Sequence, residues 1–290
     1  MNTAALLIPA FALLASPALA QTVTNAGQVV LGESRLDDEK IGEFSALVRD
    51  PDGEGVIAIS DRGYLAHLDL TIEDGRLTGV TPVKAFVLTG PDGSMRDQSF
   101  DPEGATLLDD GTIAIVSETG PRLAVFDTEG NWLRDEALPE PLQAAAKKDG
   151  IESLAWTAEA GFIAMTEEPQ QGPRHVHTLH STKAGSTSFA STGDSVSVKG
   201  MEAVGDRLFI LERTRNKDAD TMTPFLRIME PATCLGQEDC ATVQLPIPVD
   251  GIQDADFEGL AGLDDNTFLM VSDDKIDKDL RSVFVMFLVE

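Results

Sequence analysis

The chain has 290 residues, with 22 basic against 49 acidic residues and a formal net charge of -27. That balance argues against duplex nucleic acid or an anionic membrane as partner, because neither would meet a basic face. No Pro-, Gly- or Ser-rich linker divides the sequence, so it reads as one domain.

Residues 1–20, MNTAALLIPAFALLASPALA, form an uncharged apolar run ending in Ala18-Leu19-Ala20, the small-residue pattern of a signal-peptide cleavage site. Pro9 and Pro17, and the shortness of the run, argue against a transmembrane helix. The expectation is an exported protein, periplasmic or secreted, whose mature chain starts at Gln21. No later segment approaches ~18 consecutive apolar residues, so no membrane insertion is expected.

A strand segment, GQVVLGESRL, leads into a pattern that occurs five times. The copies begin GEFSAL at Gly42, PEGATL at Pro102, IESLAW at Ile151, MEAVG at Met201 and FEGLAGL at Phe257. Each contains a glutamate: Glu43, Glu103, Glu152, Glu202 and Glu258. A turn with Gly or Asn follows, then a second β-rich run: GVIAISD, GTIAIVSE, GFIAMTEE, DRLFILE and NTFLMVSDD. Those runs end in acids, at Asp61, Glu118, Glu167, Glu212 and Asp273.

Successive glutamates lie 60, 49, 50 and 56 residues apart, a period that suits a four-stranded propeller blade. Between copies, HLDLTIEDGRLTG alternates around Asp74-Gly75 and predicts a hairpin. PEPLQAAAKKDG, from Pro139 to Gly150, predicts a short helix. The C-terminal SVFVMFLVE supplies a strand that can close the ring together with the N-terminal segment. The expectation is an all-β protein, residues 21–290 forming a single β-propeller. The motif count gives five blades, and the two long intervals favour six.

In such a blade the first strand runs along the central channel and the second runs back, so the repeated glutamates and the second acids meet at one channel mouth. Crowded carboxylates oppose one another's ionisation, and a hard cation relieves them. Ca²⁺, which takes six to eight oxygens in flexible geometry, is the expected cofactor, with Glu43, Glu103, Glu152, Glu202 and Glu258 as metal or channel residues. The alternative is that each glutamate binds backbone N–H groups of a neighbouring blade. Asp61 and Asp273 are candidate bases, and Arg62 and Arg213 are candidate clamps for an anionic group, with Arg215 and Lys275 beside further acids.

Other chemistry is thin. RHVHTLH places His175 and His177 on one strand face with His180 nearby, read chiefly as a solvated loop. GDSV at Gly193 lacks the context of a nucleophilic serine, no G-x-S-x-G or H-E-x-x-H occurs, and NKDADTMTPFLR lacks the Gly and Glu of an EF-hand. Cys234 and Cys240, in CLGQEDC, read as one small disulfide loop in an oxidising compartment.

With SDRG at Ser60, DPEG at Asp101, FEGLAGL at Phe257 and VSDD at Val271 in this order, the chain resembles the family called esterase-like activity of phytase. The resemblance covers most of the mature chain and implies an exported bacterial β-propeller with an esterase-like activity. Such sequences often end the last motif as S-D-D-N, where this chain has Lys275. Glu103 and Glu258 also resemble the E-G motif with which lactonase propellers hold a divalent metal. The expected function is therefore a metal-dependent hydrolase of phosphoesters, esters or lactones, acting as a monomer on a small anionic or ester substrate. The rival is a propeller that binds a ligand, metal or envelope partner without catalysis, and fold alone does not separate the two.

Overall fold

The structure is a computed structural model, and it describes residues 21–290 apart from 33, 37, 38, 54, 95–99, 119, 144–149, 170, 171, 193–195, 220, 239 and 274–280. Residues 1–20, Ser195 of GDSV and Lys275 therefore lie outside the described residues. Strand β1 (Val23–Val30) and a small hairpin, β2 (Ser34–Leu36) with β3 (Glu39–Ile41), precede the first repeat.

Five antiparallel four-stranded sheets follow. Blade 1 is β4 (Phe44–Arg49), β5 (Val56–Ser60), β6 (Tyr64–Glu73) and β7 (Arg76–Val87). Blade 2 is β8 (Pro102–Leu107), β9 (Ile113–Ser117), β10 (Arg122–Phe126) and β11 (Trp132–Glu136). Blade 3 is β12 (Ile151–Thr157), β13 (Gly161–Thr166), β14 (Val176–Ser181) and β15 (Gly185–Ala190). Blade 4 is β16 (Val196–Val204), β17 (Arg207–Asn216), β18 (Thr221–Met229) and β19 (Val243–Pro246). Blade 5 is β20 (Asp256–Gly262), β21 (Thr267–Asp273) and β22 (Val283–Val289), completed by β1 from the other end of the chain.

That last pairing closes the ring, with β1 running antiparallel to β22 from Val23 opposite Val289 to Val30 opposite Val283. The blades number five, so the lean towards six is corrected. The long first interval is taken up in part by the extended β6–β7 hairpin. That hairpin turns on Asp74 and Gly75, both at positive φ (50° and 74°), as a two-residue primed turn requires. The segment from Pro139 forms only a 3₁₀ turn, Glu140–Leu142, within its described part. His177 and His180 lie on strand β14, not in a loop.

The cores explain why the second strand of each repeat is apolar at nearly every position. In β5, Val56 and Ala58 belong to the cluster between blades 5 and 1, while Ile57 and Ile59 belong to the cluster between blades 1 and 2. Alternate side chains of a strand point to opposite faces, and here both faces are covered by neighbouring blades. Comparable clusters fill the other junctions: between blades 2 and 3, 3 and 4, and 4 and 5.

The inner strands β4, β8, β12, β16 and β20 each contact the next around the axis. Small residues permit that approach. A Cβ on Gly104 would lie 2.7 Å from the backbone of Ser153 and Leu154, and one on Gly200 would lie 2.6 Å from Glu258 O. The glycine after the motif glutamate thus serves blade-to-blade packing, worth more here than side-chain area. Among the described residues no helix is long and apolar enough to cross a membrane.

Candidate metal and substrate site at one channel mouth

Each inner strand carries a β-bulge in its first half, where the register to the second strand shifts by one residue. A bulge leaves a residue out of the ladder and re-aims its side chain. The bulged position holds Ser45 in blade 1, Glu103 in blade 2, Glu152 in blade 3, Lys199 in blade 4 and Glu258 in blade 5. Structure thus corrects the repeat alignment in two blades. Glu43 precedes the bulge of its blade, and Glu202 lies three residues beyond it.

A second ring stands just outside the first. Glu43, Asp101 and Gly150 accept backbone hydrogen bonds from Asp61, Glu118 and Glu167 at 3.1, 3.0 and 3.2 Å. In blade 4 the corresponding pair is Ser197 with Arg213, and in blade 5 it is Asp256 with Asp273. Blade 4 therefore presents Lys199 and Arg213 where its neighbours present acids. Glu212 is the residue before, fully buried, and its carboxylate is held by Arg227 and Gln244 inside the blade. It does not belong to the mouth.

The charges meet across the axis. Lys199 Nζ, on a side chain only 6% exposed, lies 2.8 Å from Glu167, 3.0 Å from Glu258 and 3.7 Å from Glu152. Despite burial, the carboxylates of Glu258, Glu152 and Glu167 hold the Lys199 ammonium well above the usual lysine range. Arg213 bonds Asp256 and also reaches Glu167 at 3.3 Å and Ser197 at 3.4 Å. Arg62, more exposed, stands 3.5 Å from Glu43 at the rim of blade 1.

Burial raises the Glu103 carboxyl well above the usual range, and the nearby Glu152 and Glu258 raise it further against the pull of Lys199. Burial likewise lifts Glu152 to about 8, with Lys199 opposing. Asp61 reaches solvent at the rim, yet desolvation followed by repulsion from Glu43, Asp101 and Glu258 raises it to about 7. Two residues of β20 also cluster here, since burial raises Glu258 against the pull of Lys199 and Asp256 raises it further. Residues of all five blades thus meet at one end of the channel, blade 4 through Lys199 and Arg213 and not through its repeated acids.

Glu202 is elsewhere. It pairs with Phe209 in the ladder and accepts a hydrogen bond from the Gly262 N–H, and burial lifts its carboxyl to about 8 although part of the side chain remains accessible. It fits the backbone-binding alternative and is removed from the metal set.

Carboxylate oxygens of Asp101, Glu103 and Glu118 lie within 4.8 Å of one another, an all-oxygen set of the kind a hard divalent cation takes. All three are partly exposed, so an ion there would keep an open side. Sequence reasoning assigned Glu103 to the metal and Glu118 to its surroundings, but it gave Asp101, Lys199 and Asp256 no role. The acid before the apolar residue in DPEG and DFEG, and the apolar-x-Gly frame shared by PEG, FEG and VKG, carry that signal.

Gly42 holds the blade 1 part of the mouth. The Tyr64 hydroxyl accepts from Gly42 N at 2.8 Å and donates to Gly42 O at 2.6 Å, while Ser60 Oγ donates to the same carbonyl at 2.9 Å. This clamp fixes the following residue, Glu43, at φ 52°, a left-handed conformation that costs a non-glycine residue of order 1 kcal/mol or more. Away from the mouth, Cys234 and Cys240 form the expected disulfide. Its loop packs on blade 3, where Gly236 N donates to Ser186 O at 3.0 Å.

A comparison with curated proteins returns no match. Among solved structures, the PQQ-bound aldose sugar dehydrogenase of Streptomyces coelicolor is similar at TM-score 0.50 and 9% identity, covering 95% of this chain and 100% of that one. A protein of unknown function from Dyadobacter fermentans gives TM-score 0.48 at 13% identity, over 92% of this chain and 99% of that one. An inactive virginiamycin B lyase of Staphylococcus aureus, solved with quinupristin, gives TM-score 0.40 at 14% identity, over 86% and 82%. At such identities the likeness concerns the fold alone. The family model described as "Phytase-like: Esterase-like activity of phytase" matches residues 39–276, and the chain belongs to that family.

Proposed function

We propose that the protein is an exported, calcium-dependent hydrolase of small phosphoester, ester or lactone substrates, acting at this channel mouth. The convergence of Asp101, Glu103 and Glu118 beside a rim that also carries Asp61 and Arg62 is the observation that supports the reading. Family membership and a disulfide, expected of an oxidising compartment, agree with it.

Asp101, Glu103 and Glu118 would hold the ion. When bound, a divalent cation polarises a substrate oxygen and acidifies water. Asp61 stands at the rim to accept the proton of an attacking water, with Asp273 as the alternative base on blade 5. Arg62, more accessible than Lys199 and Arg213, holds an anionic substrate group. Arg213 is less accessible and already spanned by Asp256 and Glu167, so its work is to keep those carboxylates in place and not to clamp substrate.

The test is hydrolysis of a panel of phosphoesters, carboxylic esters and lactones by the purified protein, in calcium and in excess chelator. Turnover that needs calcium and falls at least a hundredfold in Asp61→Asn, with the fold intact, supports the reading. No turnover on the panel, with calcium bound, would place the protein among propellers that bind without catalysing.

A further inference from the structure

We infer that Lys199 is a tethered cation standing where a second divalent ion would otherwise sit, so that the mouth takes its metal on blade 2 only. The inference deepens the proposed function, and it rests on that reading only for the ion held by wild type.

Lys199 occupies the bulge position that Glu103, Glu152 and Glu258 occupy in their blades. From there its ammonium reaches carboxylates of two other blades, Glu152 and Glu167 on blade 3 and Glu258 on blade 5. Those carboxylates come from separate strands and are brought within reach of one point, which is what a metal site does. An ammonium has three donors and one charge at fixed reach, whereas a divalent ion brings two charges and admits water. Arg213 extends the same neutralisation to Asp256 and Glu167. The cations of blade 4 thus face blades 3 and 5, while the oxygen cluster of Asp101, Glu103 and Glu118 lies on blade 2. Lysine in place of a fourth glutamate makes the ring one-sided and leaves a single arc for metal and substrate.

If Lys199 stands in for an ion, removing its charge while keeping its length should create an ion requirement. Calcium bound per chain would be measured by titration calorimetry and by elemental analysis after gel filtration, for wild type, Lys199→Met, Lys199→Arg and the double variant Lys199→Met with Glu258→Gln. Melting in chelator and in millimolar calcium would be recorded for each. The expected result is one more calcium per chain in Lys199→Met than in wild type, a larger calcium-induced rise in melting temperature, and neither effect in Lys199→Arg. The double variant, with one carboxylate fewer to neutralise, should fold in chelator and lose the extra ion. Equal calcium content in wild type and Lys199→Met overturns the inference, as does a Lys199→Met chain no more folded in calcium than in chelator. An ion in Lys199→Met alone would sustain this inference while refuting the wild-type metal site. An ion in wild type that Lys199→Met merely retains would do the reverse.

Discussion

Lys199 Nζ lies 3.0 Å from Glu258 Oε1, joining the bulge of blade 4 to the bulge of blade 5 on the channel axis. Glu258 is the motif glutamate of the fifth copy, and Lys199 is the one basic residue in the equivalent position. Removing the lysine leaves crowded buried carboxylates without their cation, which costs about 3–5 kcal/mol when one partner of a buried pair is lost. Removing Glu258 relieves repulsion at the same time as it breaks a contact. Urea unfolding in chelator should therefore rank Lys199→Met well below Glu258→Gln. Equal losses would show that the pair, and not the crowd around it, sets the stability.

Glu202 yields a prediction of opposite kind. Its folded carboxyl sits near 8, above the unfolded glutamate value of 4.5, so between those values the native state keeps a proton that the unfolded chain releases. Stability is thereby lost as pH rises through that window. Glu202→Gln removes the titrating group, so its unfolding free energy should gain on wild type steadily from pH 4.5 to 8, with calcium binding unchanged. Parallel pH profiles would contradict the raised carboxyl, and a loss of bound calcium would contradict its removal from the metal set.

Much of this architecture is readable in the chain itself. Five apolar second strands, each closed by polar residues, declare the blades, because both faces of a blade are buried and every position must be apolar. The Asp74-Gly75 hairpin and the two terminal strands follow from turn chemistry and alternation. The fourth copy misleads because Glu202 supplies the expected letter in MEAVG, three residues past the bulge. Only the backbone register shows that Lys199-Gly200 holds the motif position and that Arg213, not Glu212, takes the mouth position on the second strand. The choice of five blades over six is likewise invisible to spacing, since long hairpins and loops lengthen an interval as an added blade would.

His177 is fully enclosed, its ring stacked on Phe189, and burial together with the charge of Arg227 lowers it from 6.5 to about 4. The unfolded chain takes a proton there before the native state does, so stability falls as pH drops from about 6.5 to about 4. A shift of this size is worth up to about 3 kcal/mol. His177→Phe should flatten the acid limb of the stability profile by a comparable amount, measured by urea unfolding between pH 4 and 7. An unchanged acid limb would show that other groups govern it.

Cys234 and Cys240 close a loop separated by only 6 positions, so the entropy removed from the unfolded chain is small. Replacing both by alanine should cost about 2 kcal/mol and leave the fold and turnover intact. Mass spectrometry of the purified protein under non-reducing conditions should find no free thiol. Collapse of the fold without the disulfide would mean that the loop docking on blade 3 depends on it.

Diffraction from crystals grown with manganese or calcium, recorded for anomalous signal, decides whether the channel mouth holds a metal. One peak is expected there, about 2.0–2.6 Å from carboxylate oxygens of Asp101, Glu103 and Glu118, with Lys199 still seated among Glu152, Glu167 and Glu258. A mouth without a peak at saturating metal, or an ion bound only among the blade 3 and blade 5 carboxylates with Lys199 displaced, would contradict that expectation.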